Sequence, residues 1–211
     1  MRIYQNYLAL IHENAHDKLT GLLNRKTFDE RFVSIFLSSY RAAPTQERSR
    51  TVERRQMEGG YRHWLAVLDI DHFKRVNDMF GHLYGDEVLL LMANLMRRSF
   101  RRGDLLFRYG GEEFVVVLKT ANVNEAWNAL DRFRKAVERY NFPQVGQVTV
   151  SIGFTEIGDS EMPTMIIERA DRALYYAKSN GRNQIYHYEQ LTSSGLLAPS
   201  QHQPGGDIEL F

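Results

Sequence analysis

The stretch that most constrains this chain is residues 105–118, LLFRYGGEEFVVVL. Two apolar runs, 105–107 and 114–118, flank a Gly-Gly-Glu-Glu tip, the pattern of a β-hairpin whose turn tolerates positive φ. Gly110 and Gly111 have no Cβ, so a bulky anion can approach their backbone, and Glu112 and Glu113 offer hard oxygen ligands beside it. A phosphate and a divalent cation are the natural guests of such a tip.

A second stretch supplies its counterpart. Residues 64–71, WLAVLDID, are too continuously apolar for a one-sided strand and short enough for a central strand covered on both faces. Asp69 and Asp71 are two residues apart and point the same way in an extended strand, and Ile70 contributes a carbonyl between them. If this strand pairs with the hairpin, Asp69 meets Glu112 at one cation; Asp71 either joins it or caps the next helix. That short helix leads to a Gly-bounded turn at 81–85 and a helix with Val88, Leu91, Met92 and Leu95 facing the core. On residue type alone, Asn77 and Asp86 at the edges of this turn read as helix caps. Beyond the hairpin, 122–140 reads as a scaffold helix opened by a capping box from Asn122 to Glu125. A strand over 147–154, a helix over 164–178 that stops near Gly181, and a last strand over 184–188 follow. This order predicts an α+β sandwich with helices covering a largely antiparallel sheet.

Composition narrows the class. A chain of 211 residues, 43% hydrophobic and 25% charged, suits one well-buried domain with extensions. With no cysteine, disulfides and thiolate metal sites are excluded, and the seven histidines show no zinc spacing. A net charge of +1 gives no global reason to expect nucleic acid as a partner, and Arg97 and Arg98 read as answers to a helix dipole. No apolar run approaches a membrane span or a secretory leader.

Residues 1–16 have helical character, with Ile3, Tyr7 and Leu10 at heptad-like spacing, and read as the end of a longer signalling helix. Residues 17–188 form the expected domain, and the charged excursion at 41–60 reads as a solvated, mobile spacer. Residues 189–211 are polar and punctuated by Ser, Gly and Pro, so a frayed tail is expected there.

YGGEEF resembles the signature of the GGDEF family of diguanylate cyclases, in its GGEEF variant. The family's other motifs follow in register: DKLTGLLNR at 17–25, LDIDHFKRVND at 68–78, FGHLYGDEVL at 80–89 and AKSNGRN at 177–183. The resemblance implies a ferredoxin-like, nucleotidyl-cyclase palm. It implies condensation of two GTP into cyclic di-GMP with release of two pyrophosphates. Two Mg²⁺ ions per active site are expected, with Mn²⁺ as an alternative. Asp69, the Ile70 carbonyl and Glu112 would be metal ligands, while Glu113 would bind the second metal or assist the 3′-hydroxyl. Asn77 and Asp86 would read guanine, whose N1–H and 2-amino donors suit a carboxylate. Lys178 and Arg182 would bind phosphates, with the Phe73 backbone and Lys74 closing the triphosphate pocket. Asp17 and Arg25 would couple the incoming helix to the domain.

Because one such pocket holds one nucleotide, the reaction implies a two-fold homodimer. Arg101 and Asp104 form an RxxD that resembles the family's product-inhibition site, with Arg132 or Arg134 as a further arm. The alternative for these two is a polar turn. An upstream sensory or receiver domain and a cytoplasmic location, with membrane attachment of a longer protein left open, complete the expectation. The rival reading is a catalytically silent module that binds GTP or cyclic di-GMP; a cyclase for a mixed dinucleotide is disfavoured by Asp86.

Overall fold

The computed structural model describes residues 15–32, 61–158 and 162–198. Nearly all of the expected entry helix, the whole 41–60 excursion and residues 199–211 lie outside the described residues. After a short β1 (Leu23–Asn24), a helix starts at residue 25. There follow β2 (Arg62–Ile70), α1 (Phe73–Phe80), α2 (His82–Ser99), β3 (Leu105–Gly110), β4 (Glu113–Thr120) and α3 (Val123–Arg139). A small ribbon of β5 (Asn141–Phe142) and β6 (Gly146–Gln147) precedes β7 (Val150–Glu156), α4 (Pro163–Ser179), β8 (Ile185–His187) and α5 (Tyr188–Ser193).

The main sheet runs β1-β3-β4-β2-β7-β8. Its four inner strands are antiparallel and its two outer pairs parallel, so the largely antiparallel α+β expectation holds. The predicted central strand is β2, flanked by β4 and β7 and buried from Trp64 to Ile70. Alternation divides its side chains between two cores. Trp64, Ala66, Leu68 and Ile70 pack with Phe114, Val116 and Leu118 of β4 under α2 and α3. Leu65 and Val67 pack with Val115 and Val117 under Phe28, Phe32 and α4. A strand that feeds two cores has no face left for polar residues until it emerges at Asp69, which is why the acids fall at its end.

Two local devices set the helices. Asn122 accepts the Glu125 amide at 3.0 Å and Glu125 reaches back to the Ala121 amide at 3.2 Å, so the predicted capping box opens α3. At Gly153 in β7 a Cβ would meet the Leu174 nitrogen at 2.1 Å and the Ala170 oxygen at 2.2 Å. Only glycine lets α4 lie this close to the sheet, and that seating brings its C-terminal end over Asp69.

Two expectations need correction. The last strand ends at His187, and the chain expected to fray from residue 189 continues as α5 with Leu191 buried. A leucine three residues beyond a buried Tyr188, on the same helix face, finds the small third core beside Ala173. Arg97 also does more than answer a dipole: it donates to the Thr20 carbonyl and ties α2 to the 17–20 turn.

Candidate active site

Asp69 occupies the last turn of register in β2, opposite Glu113 on β4 and Ser151 on β7. It is 3% exposed, and Lys178 of α4 reaches it with Nζ to Oδ2 at 2.8 Å. The hairpin tip adjoins this pair, since the charges of Asp69 and Lys178 act on Glu112 and Glu113. Gly110 faces Glu113 after a register shift at Tyr109, and Gly111 takes φ 45°, a conformation glycine adopts without strain. No atom stands within 4 Å of where a Gly111 Cβ would project, leaving the tip open to a ligand.

Four carboxylates converge electrostatically here. Burial, reinforced by the charge of Asp71, raises the Asp69 pKa despite Lys178. Burial and Asp69 raise that of Glu112. Glu113 is pushed to about 7 by burial, Asp69, Asp171 and Glu112. Asp171, which the sequence reading missed, is raised by burial and by Asp69. Its place was readable: Asp171 and Lys178 are seven residues apart, two helical turns, on one face of α4. Crowded acids of this kind mark functional sites more often than structural ones.

Among the described residues, no three acidic or histidine side chains converge into a complete metal cage. The donor set is instead a few carboxylates and backbone carbonyls, all hard oxygen, around charge that Lys178 and Arg182 leave partly unbalanced. That is the setting Mg²⁺ favours when one or two carboxylates and substrate phosphates share its coordination. Of the residues expected to hold a metal, Asp69 and Ile70 end β2, Glu113 opens β4 and Glu112 lies in the turn before it.

The remaining predicted residues sit around this centre. The N-terminal amides of α1, at Phe73 and Lys74, precede the first intrahelical bond, from Arg75 N–H to the His72 carbonyl at 2.9 Å. Phe73 is buried and Lys74 exposed. Neither Asn77 nor Asp86 caps a helix through its side chain: Asn77 lies inside α1, and Asp86 is an exposed residue of the second turn of α2. Asn77 packs so tightly on Gly85 that a Cβ there would meet its Oδ1 at 2.0 Å. Asp71 is not a helix cap, and besides raising the Asp69 pKa by its charge it is held by the sheet and the 181–183 turn. It accepts hydrogen bonds from Thr149, Ser151 and the Asn183 amide at 2.7, 2.7 and 2.9 Å. Arg182 is exposed on the turn after α4.

The hairpin is braced from below. Arg108 donates through Nε and Nη2 to the Gly111 carbonyl at 3.0 and 2.9 Å, and through Nη1 to Asp17 at 3.1 Å. Arg25 lies over the Tyr109 ring at 4.6 Å. Both residues expected to couple the incoming segment thus touch β3. At the far end of β3, Asp104 accepts the Arg101 amide at 2.9 Å, closing a turn, while the Arg101 side chain is exposed. Arg132 donates to the Ser99 carbonyl at 2.8 Å, two residues from Arg101, whereas Arg134 points elsewhere.

Residues 14–184 match the family described as "Diguanylate cyclase, GGDEF domain". The chain belongs to the GGDEF family. It is 41% identical over 172 residues to the diguanylate cyclase DgcP of Pseudomonas aeruginosa, covering 80% of this chain and 23% of that protein. It is 34% identical over 176 residues to DgcM of Escherichia coli, covering 83% of this chain and 39% of that protein. This GGDEF domain therefore spans well under half the length of those relatives. Its fold is similar to the coiled coil and GGDEF domain of DgcB from Caulobacter crescentus, solved in complex with c-di-GMP. The TM-score is 0.74 at 31% identity, covering 88% of this chain and 92% of that one. Among the described residues no helix is long and apolar enough to cross a membrane.

Proposed function

We propose that this GGDEF domain is a diguanylate cyclase that condenses two GTP into cyclic di-GMP and two pyrophosphates. The observation that carries the reading is the Asp69–Lys178 pair at 2.8 Å, set opposite Glu113 beside an open glycine tip. Each 3′-hydroxyl attacks the α-phosphorus of the other nucleotide, its oxygen forming the new phosphodiester bond as pyrophosphate leaves and its proton passes to a base. Such a displacement needs substrate positioning and neutralisation of charge. Asp69, the Ile70 carbonyl and Glu112 would hold divalent cations, which supply charge neutralisation and acidify the hydroxyl. Glu113 takes part in that binding or assists the hydroxyl. Lys178 and Arg182 bind the phosphates, with the N-terminal amides of α1 and Lys74 closing over them. Asn77 and Asp86 accept from the guanine N1 and N2 donors.

Two such sites must face each other, so the active species is a two-fold homodimer. Arg101 and Asp104, with Arg132 rather than Arg134 as the third arm, bind the product and restrain turnover; arginine suits guanine O6 and N7. The test is GTP turnover with Mg²⁺ on nucleotide-stripped protein at concentrations where dimers are verified, with products identified by mass spectrometry. Cyclic di-GMP from the parent and none from Glu112→Gln is the expected result. No product from a verified dimer overturns the reading.

A further inference from the structure

The turn that carries Arg182 is held in a costly conformation. Gly181, Arg182 and Asn183 take φ of 112, 59 and 50° in succession. Glycine adopts this region freely and asparagine tolerates it, but arginine has no intrinsic preference for it. The surrounding structure must impose the shape.

Two elements distant in sequence do so. From the sheet, the Asp71 carboxylate accepts the Asn183 amide at 2.9 Å across 112 residues of chain. That carboxylate is itself immobilised, since Ser151 and Thr149 hydroxyls donate to its two oxygens and the residue is 5% exposed. From the other side, Arg134 of α3 donates through Nη1 to the Asn183 side-chain oxygen at 2.8 Å and to its carbonyl at 3.3 Å. Asn183 returns a bond to Glu138 at 2.7 Å. Arg134 is aimed by Asp131 at 3.0 Å and Glu138 at 3.2 Å and is only 14% exposed. Asn183 is thus gripped on its amide, its carbonyl and both side-chain atoms.

We infer that Asp71, Asn183 and Arg134 form a clamp that fixes the left-handed turn and so aims Arg182 at the phosphates, an inference that rests on the cyclase reading of the site. Asp71 follows Asp69 by two residues. One strand end therefore presents the acid of the site and sets the position of the cation across from it, keeping the two in register. Asp71 and Arg134 are positioning residues, acting through Asn183 without touching substrate.

The clamp is tested by calorimetric titration, with Mg²⁺, of 3′-deoxy-GTP, which lacks the attacking hydroxyl, and of GMP, which lacks the outer phosphates. Arg134→Leu and Asn183→Gly should each weaken 3′-deoxy-GTP about tenfold and change GMP less than about twofold. Added to Arg182→Ala, neither should weaken it further, because groups acting through one another are not additive. Asn183→Gly keeps a residue suited to positive φ and carries the test if Arg134→Leu does not fold. Equal loss of both ligands, or full additivity with Arg182→Ala, overturns the clamp alone. A parent that binds no 3′-deoxy-GTP overturns the cyclase reading and the clamp with it.

Discussion

The two ends of β2 handle buried carboxylates in opposite ways. At the Asp69 end, burial raises the pKa of Asp69, Glu112, Glu113 and Asp171, and the charge of Asp69 adds to the rise in the other three. At the Trp64 end stands Glu189, where burial also pushes the pKa up. There the approach of His187 to 2.6 Å, its charge and the hydrogen bond from Thr155 outweigh it, and the pKa falls. Arg169 adds a contact at 3.1 Å, and His187 stacks on Phe154 at 4.8 Å. One end has more acid than its cations balance; the other supplies its acid with partners from the chain itself. An uncompensated acid cluster points to function, and a compensated acid holds the fold together.

Substitutions can break this contrast. The largest effect is expected for Asp69→Asn, which should lower cyclic di-GMP formation at least about 100-fold while the domain stays folded, as followed by near-ultraviolet circular dichroism. A large loss of structure instead would mean that this acid is structural. Next, Arg108→Gln frees the Gly111 carbonyl and Asp17, so the hairpin tip loosens. Turnover should fall about tenfold, with little change in Tm, because misplacing reacting groups is costly.

Glu189→Gln should act in reverse, leaving turnover per folded molecule unchanged and lowering stability at pH 7 by about 1 kcal/mol, since the group is partly solvated. Its folded pKa lies below the unfolded one. Its contribution is therefore full above the unfolded carboxylate range and is lost as pH falls through the folded value, so parent and variant should converge in acid denaturation. The smallest effect sharpens the contrast most. In metal-free protein, Glu113 has a folded pKa near 7, above its ordinary value. Ionisation then disfavours the folded state as pH rises through that value, so Glu113→Gln should raise Tm at pH 8 by roughly 2–4 °C and lose the advantage near pH 5. A Tm lowered at pH 8 would show that this acid is compensated after all.

Much of this was legible in local pattern. The hairpin announced itself through a glycine pair between apolar runs, and the buried central strand through an unbroken apolar stretch ending in acids. The α3 capping box was readable because both of its partners lie within one turn. The boundary at residue 189 was misread because the tail is polar in composition, although Tyr188 and Leu191 anchor another helix. Asp71 remained ambiguous between cap and ligand, since its real partner, Asn183, is 112 residues away.

The sequence by itself determined that strand and hairpin would form and that acids would gather at their ends, because alternation and positive-φ turns are short-range physics. Only the tertiary structure decided which acids are left over. Seating α4 on Gly153 brings Lys178 to Asp69 and adds Asp171 to the cluster. Packing α3 against the 181–183 turn commits Arg134 to Asn183 and leaves Arg132 beside Arg101. These assignments depend on burial and on which charges meet across the fold: spacing puts Asp171 on one face of α4 with Lys178, but not that face against Asp69.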